Sequence, residues 1–285
     1  MFDVKIQKKI VEFVHAKPRT VQEIAVYLGK NWRTADRYVE RIMEEEGSLA
    51  SRTFREGTRG ALKIVFWNNV ERIANTEFQE RLLQRILDGR TKEDFSPLDV
   101  YQYVDAKKRS AFLETQAAES ARVEQDVVSL FKSAKQQVMI FSGNLSWSHV
   151  VQGKTKVVDV LEELARKGIA IKILTRVDVA SMKNLGVVQE INERLGREAV
   201  EIRHCEQPIR CVLIDTKHAR FKEVKYVENY KAGELKENTS IFYDIYDEEW
   251  LEWLQKVFWH MFRSAIPAPR RLETLKSIQK IRFLG

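Results

Sequence analysis

From Gln137 to Ala265 the sequence alternates short apolar, β-branched runs with amphipathic stretches, and this pattern restricts the fold more than any other feature of the chain. "VMIFSG" (138–143) has the composition of a buried strand, "KVVDVLEELARKG" (156–168) of an amphipathic helix stopped at Gly168, and "IAIKILTRVD" (169–178) of a second strand. "LGVVQEINERLG" (185–196) is another helix, and "VEIRHC" (200–205), "RCVLIDTKHARFKE" (210–223) and "TSIFYDIYD" (239–247) supply further strands. "EEWLEWLQKVFWHMFRSA" (248–265) closes as a long aromatic helix in which Trp250, Trp253, Leu254, Val257, Phe258, Met261 and Phe262 recur at helical spacing. Strands alternating with helices bury both faces of a sheet, so this part predicts an α/β layered domain. Trp250 and Trp259 lie at the margin of the apolar stripe, and an exposed one is expected to mark a dimer surface.

The first third has a different grammar. Ile6, Ile10, Phe13 and Val14 share one helical face, ended near Pro18. "TVQEIAVYLG" opens on Thr20 with Glu23 three residues on, a capping box, and stops at Gly29. "NWRTADRYVERIMEEE" follows, with Asn31 placed to cap and Ala35, Tyr38, Val39 and Ile42 facing inward. "LASRTFREGTRGALKIVFW" then forms two strands around a glycine-bracketed turn. This order over residues 1–68 resembles winged helix-turn-helix DNA-binding domains. The resemblance implies DNA contacts from Asn31, Arg33, Thr34, Arg37 and Arg41 of the recognition helix and from Arg55 and Arg59 of the wing. The other use of such modules, as protein-binding wings, stays open.

Charge agrees with an anionic partner. The 285-residue chain carries net +7, with +4 in residues 1–66 and +5 from Arg263 onward, so the middle is slightly acidic. No run reaches the roughly 18 apolar residues that would span a bilayer, and "MFDVKIQKKIVEF" lacks the order of a signal peptide, so a cytoplasmic protein with no membrane partner is expected. The two cysteines, Cys205 and Cys211, form no disulfide framework. With His204 and His218 they offer metal-ligand types within fifteen residues, but adjacent His204 and Cys205 on a strand point to opposite faces, so no metal or other cofactor is expected.

Residues 69–117 are expected to form a helical linker. From Arg109 to Gln137 helix formers run without a breaker, with Phe112, Val123, Val127, Leu130 and Phe131 as a partial stripe; the expectation is a connecting helix, with a dimerising helix as the alternative. After Pro267 and Pro269 the tail 267–285 is basic, with Leu272, Leu275, Ile278 and Ile281 at the spacing of a short amphipathic helix.

One stretch bears on chemistry. "HCEQPIRCVLID" (204–215) resembles the H-x-K-x-x-x-x-D motif of the phospholipase D superfamily, with Pro208 in place of the nucleophilic histidine, Arg210 in place of the lysine, and Asp215 retained. With "FSGNLSWS" (141–148) and the closing helix, residues 118–266 resemble one half of a phospholipase D fold. Winged helix plus such a half is also the layout of archaeal TrmB-type sugar-responsive regulators. Covalent catalysis through phosphohistidine needs the histidine, and proline supplies neither nucleophile nor N–H. Neither His204 nor His218 has the spacing to replace it. Arg210 keeps a cation suited to bidentate anion recognition, with Asp215 expected to pair with it and Asn144 to donate to a ligand.

The sequence therefore predicts an α/β protein overall: a winged helix-turn-helix (α+β) followed by a phospholipase D-like layered domain. The expected function is a DNA-binding transcriptional regulator, not an enzyme. Its second domain is expected to mediate homodimerisation, since a phospholipase D fold works as two halves, or to sense a small anionic or polar effector at Asn144, Arg210 and Asp215. The alternative is a phosphodiesterase or nuclease delivered to DNA by the winged helix.

Overall fold

The computed structural model describes residues 4–45, 48–55, 61–67, 75–115, 127–230, 235 and 237–282. The first unit comprises α1 (Val4–Ala16), β1 (Arg19–Thr20), α2 (Val21–Leu28), α3 (Trp32–Glu45), β2 (Leu49–Arg55) and β3 (Ala61–Trp67). The expected capping box forms: Thr20 N donates to Glu23 Oε2 at 2.7 Å, and Glu23 N donates to Thr20 Oγ1 at 3.1 Å. Gly29 takes φ 62°, a left-handed conformation that glycine adopts without a Cβ penalty, and so turns the chain from α2 into α3. Ile10, Val14, Ile24, Ala35, Val39, Ile42 and Val65 fill the core between the helices and an antiparallel sheet of order β1-β3-β2. Three helices backed by a hairpin make the winged-helix architecture. The tip of the hairpin, and Arg59 with it, lies outside the described residues.

Next come α4 (Asn75–Asp88), a short α5 (Leu98–Tyr101), β4 (Arg109–Thr115), α6 (Val127–Lys132) and β5 (Gln137–Phe141). A small hairpin, β6 (Val151–Gln152) and β7 (Thr155–Lys156), leads into α7 (Val157–Arg166), β8 (Ala170–Thr175), α8 (Met182–Leu195) and β9 (Val200–His204). The chain ends through β10 (Cys211–Ile214), β11 (His218–Lys225), β12 (Thr239–Ile245), α9 (Glu248–Ser264), β13 (Ile266–Pro267) and α10 (Ala268–Arg282).

One eight-stranded sheet, ordered β13-β9-β8-β5-β10-β11-β12-β4, organises this second unit. Its β5, β8 and β9 are parallel and the remaining pairs antiparallel. Strand alternation divides the core into two layers. Met139, Phe141, Cys211 and Leu213 face α9, α4 and α5, whereas Val138, Ile140 and Ile214 face α6, α7 and α8. The α/β class is as the residue pattern implies. Among the described residues, no helix is long and apolar enough to cross a membrane.

Two expectations are corrected. Residues 109–115 form β4, the edge strand paired with β12 from Arg109↔Ile245 to Thr115↔Thr239, where a helix was expected. A helix and a strand compete for the same residues there, and cross-strand pairs such as Phe112 on Phe242, with centroids 5.1 Å apart, decide for the strand. Residues 116–126, including Val123, lie outside the described residues. On α9, Trp250 is buried and Trp259 packs against the same core, so neither marks an open dimer surface. The basic tail forms α10 and packs onto its own domain through Ala268, Leu272 and Leu275, after Ile266 and Pro267 pair with β9.

The two units share a core. Phe54, Leu62 and Ile64 of the wing strands pack in the layer that holds Tyr101, Phe221, Tyr243 and Trp250. Phe54 meets Tyr243 edge-on at 6.3 Å, and Arg52 Nη1 donates to Tyr101 Oη at 2.5 Å. Behind them, Glu223 accepts from Tyr243 Oη at 3.0 Å and pairs with Lys225 Nζ at 2.9 Å. Burial pulls the Lys225 ammonium down, but Glu223, then Tyr230 and Glu23 of α2, outweigh it and hold the group above the ordinary lysine value. Burial pushes the Tyr230 phenol up to about 12.

Candidate functional site

Helix α3, on which the sequence placed the expected DNA contacts, is set by its first turn. Asn31 Oδ1 accepts from Thr34 N at 2.9 Å, satisfying a donor that the helix itself leaves free, and Asn31 O accepts from Ala35 N at 3.1 Å. With Ala35, Val39 and Ile42 locked inward, Arg33, Arg37 and Arg41 recur every fourth residue on one exposed face. Thr34 is half-buried beside its cap. The Arg33 guanidinium lies 5.8 Å from the Trp32 ring centroid.

The acids of the same helix are partly neutralised. Lys63 on β3 holds Asp36 at 2.7 Å and Glu40 at 3.1 Å. Burial would lower the Lys63 ammonium, but these two carboxylates raise it above its ordinary value. The arginine face therefore keeps its positive field. Arg55 ends β2, and its side chain lies outside what is described.

The degenerate motif does not assemble as expected. Arg210 and Asp215 lie at opposite ends of β10; five residues of extended chain separate their Cα atoms by roughly 17 Å. Asp215 is buried with φ 51°, a conformation that aspartate tolerates better than most residues. Its carboxylate accepts from the amides of Lys135 at 3.0 Å and of Gln136 and Gln137 at 2.9 Å, and its carbonyl accepts from Gln255 Nε2 at 2.5 Å. Asp215 therefore clamps the entry to β5, the β10–β11 turn and α9, and is not paired with Arg210.

Arg210 sits at the other end, where the parallel strands finish. Its Nη1 donates to the carbonyls of Ile209 at 2.7 Å and Gln207 at 3.1 Å, and its guanidinium lies against Gly143, where a Cβ would come within 2.6 Å of it. Burial, then the like charge of Arg176, lowers its pKa. Gln207 fastens the loop: Nε2 donates to Ser142 O at 2.9 Å and Oε1 accepts from Ile209 N at 2.6 Å. Asn144 is exposed; its Oδ1 accepts from Ser146 N at 3.2 Å and its carbonyl from Asn184 Nδ2 at 2.8 Å. Arg210 and Asn144 thus belong to one end of the sheet and Asp215 to the other.

Pro208 is buried under the end of α4. A Cβ on Gly89 would lie 2.8 Å from Pro208 Cγ, so the chain closes over the position that a nucleophile would occupy. The histidines are engaged elsewhere. His204 Nδ1 accepts from Val177 N at 2.9 Å, which leaves the proton of a neutral ring on Nε2; burial, then Arg271, lowers its pKa. His218 Nε2 bonds Asp244 Oδ1 at 2.7 Å at the Asp215 end of the hairpin.

Three residues escaped the sequence pattern: Gln207, Gly89 and Trp32. Trp32 falls on the inward stripe by periodicity, about 20° from Val39 on an ideal helix wheel. It lies at the first helical position, however, and is 47% exposed.

No protein-family model matches this sequence, and neither does any curated protein. Solved structures similar in backbone include Nuc of Salmonella typhimurium, a phospholipase D family member, at 15% identity and TM-score 0.39, covering 56% of this chain and 98% of that one. NucT of Helicobacter pylori is similar at 14% identity and TM-score 0.41, again covering 56% and 98%. TrmBL2, described as an archaeal chromatin protein with a novel mode of DNA binding, is similar at 13% identity and TM-score 0.39 and covers 92% of both chains.

Proposed function

We propose that this chain is a DNA-binding protein that acts on transcription or DNA packing. Its winged helix presents α3 to the major groove, and its phospholipase D-like body joins two copies without catalysing phosphodiester cleavage. The observation that carries this reading is the row Arg33, Arg37, Arg41 on a helix whose start is capped and whose inner face is buried. Such a row meets phosphates and base edges at groove spacing.

The body's lack of chemistry is supported by Pro208, which has no nucleophile, by the packing of Gly89 over it, and by the protonated Nε2 of neutral His204. Because the site's residues divide between the two ends of β10, no effector is placed at Arg210, Asp215 and Asn144 together.

The test is fluorescence anisotropy with a labelled random duplex at two salt concentrations, beside an Arg33→Ala/Arg37→Ala variant. Tight, salt-sensitive binding that the variant loses supports the proposal. Binding that is absent, or indifferent to those arginines, removes it.

A further inference from the structure

The recognition unit exposes apolar surface that its own core does not use. Val26 is 62% exposed and Tyr27 49% exposed in the last turn of α2, and Trp32 opens α3 after the turn Gly29-Lys30-Asn31. Trp32 is the most exposed of the six tryptophans: the other five are buried or half-buried. Leaving an indole in water forfeits the stabilisation that burial would give, so its position at the tip of the recognition helix calls for a partner.

Charge identifies the kind of partner. The patch is bordered by Lys30, Arg33 and Arg37, all exposed, and the Arg33 guanidinium reaches over the indole. An apolar protein surface has no need of that cationic rim, whereas a duplex offers both phosphates and one apolar group in the major groove, the thymine 5-methyl. The N-terminal residues of a recognition helix are those that meet base edges. Phe13 stacks on Tyr27 with centroids 4.1 Å apart and Arg19 caps Phe13 at 4.0 Å, so α2 presents this end of the unit on a stiff support.

We infer that Trp32 packs on thymine methyl groups in the major groove, giving the protein a preference for thymine-containing DNA that the arginines alone do not supply. This rests on the DNA-binding reading and adds to it the chemical feature of the base that is sensed.

The test compares two labelled duplexes of one random sequence, one with thymine and one with deoxyuracil throughout. They share charge, hydrogen-bonding groups and length and differ in the methyl. The full-length protein is expected to bind the uracil duplex roughly fourfold more weakly for each methyl group buried. Trp32→Ala is expected to bind both duplexes equally, at the weaker value, and Trp32→Phe to keep part of the preference. Thermal melts of both variants confirm folding, since the side chain is outside the core.

Equal affinity of the unaltered protein for the two duplexes overturns the inference. If that equal binding remains salt-sensitive and is lost in Arg33→Ala/Arg37→Ala, the DNA-binding reading stands without it. Absence of binding to either duplex overturns both. A preference for thymine that survives Trp32→Ala also overturns the inference, since another residue then senses the methyl.

Discussion

Gly89 and Pro208 fit together as a pair: the buried glycine at the end of α4 lies so close to the proline ring that a single added methyl would stand 2.8 Å from Cγ. The same methyl would be 3.2 Å from the Arg85 carbonyl, which is backbone and does not yield readily. Gly89→Ala is therefore expected to destabilise the protein by about 1–3 kcal/mol, read from the midpoint of urea denaturation.

Restoring the letters of the motif should not restore chemistry. A Pro208→His/Arg210→Lys variant is expected to show no hydrolysis of an activated phosphodiester, because the imidazole would share its space with the end of α4. Turnover above background, lost again when Pro208 is restored and only the Arg210→Lys change is kept, would falsify the view that this end of the sheet is closed.

Asp215 has work that does not involve an anion. Replacing it with alanine strips three amide donors of their acceptor at a partly buried turn, and each donor left without a partner costs about 1 kcal/mol. Asp215→Ala should lower stability by about 3 kcal/mol while DNA affinity of the folded fraction is unchanged. A parallel loss of affinity in fully folded protein would show that the residue also acts at the nucleic acid.

Asp244 sets an acid limit. Burial raises its carboxyl, but hydrogen bonds from His218 at 2.7 Å and from Arg220 at 2.7 and 2.9 Å outweigh burial, so its folded pKa lies below the ordinary 3.8. A depressed folded pKa means stability that is fully present above the unfolded value and is lost as pH falls through the folded one. The stability curve should drop below about pH 4, and Asp244→Asn should flatten that drop. The variant should also be less stable by roughly 3 kcal/mol at neutral pH, because it takes the carboxylate away from the half-buried Arg220 guanidinium. An unchanged acid limb in the variant would assign the acid sensitivity to other carboxylates.

Because Phe54 lies in the same core layer as Tyr243, the winged helix and the body should melt together. Calorimetry is expected to give one transition in the unaltered protein, and Phe54→Ala to lower the midpoint at a cost of about 3–5 kcal/mol and broaden or split it. Two separate transitions in the unaltered protein would mean the shared core does not couple the units.

Much of this architecture was written locally. The capping box at Thr20 and Glu23, the stop at Gly29 and the alternation after Gln137 each rest on neighbours within a few residues, and they formed as their residues dictate. The strand at Arg109–Thr115 did not announce itself, because its identity comes from pairing with β12, more than a hundred residues away. The expected pairing of Arg210 with Asp215 failed on a signal the sequence did hold: an odd spacing of five along a strand sends two side chains to opposite faces as well as opposite ends. The exposure of Trp32 was not legible, since periodicity assigns a residue to a face and is silent on whether the face continues past the helix end.

The wing strands are built into the body's core, and on the proposed DNA-binding reading this fixes how two sites would be spaced. A reading head on a slack tether accepts sites at many intervals. A head fused through Phe54, Leu62 and Ile64 to an eight-stranded sheet holds α3 at one angle, so two such chains joined through their bodies would act as a fixed caliper along the duplex. Inserting half a helical turn, about five base pairs, between two favoured half-sites would then rotate the second out of reach, and inserting a full turn would not bring it back.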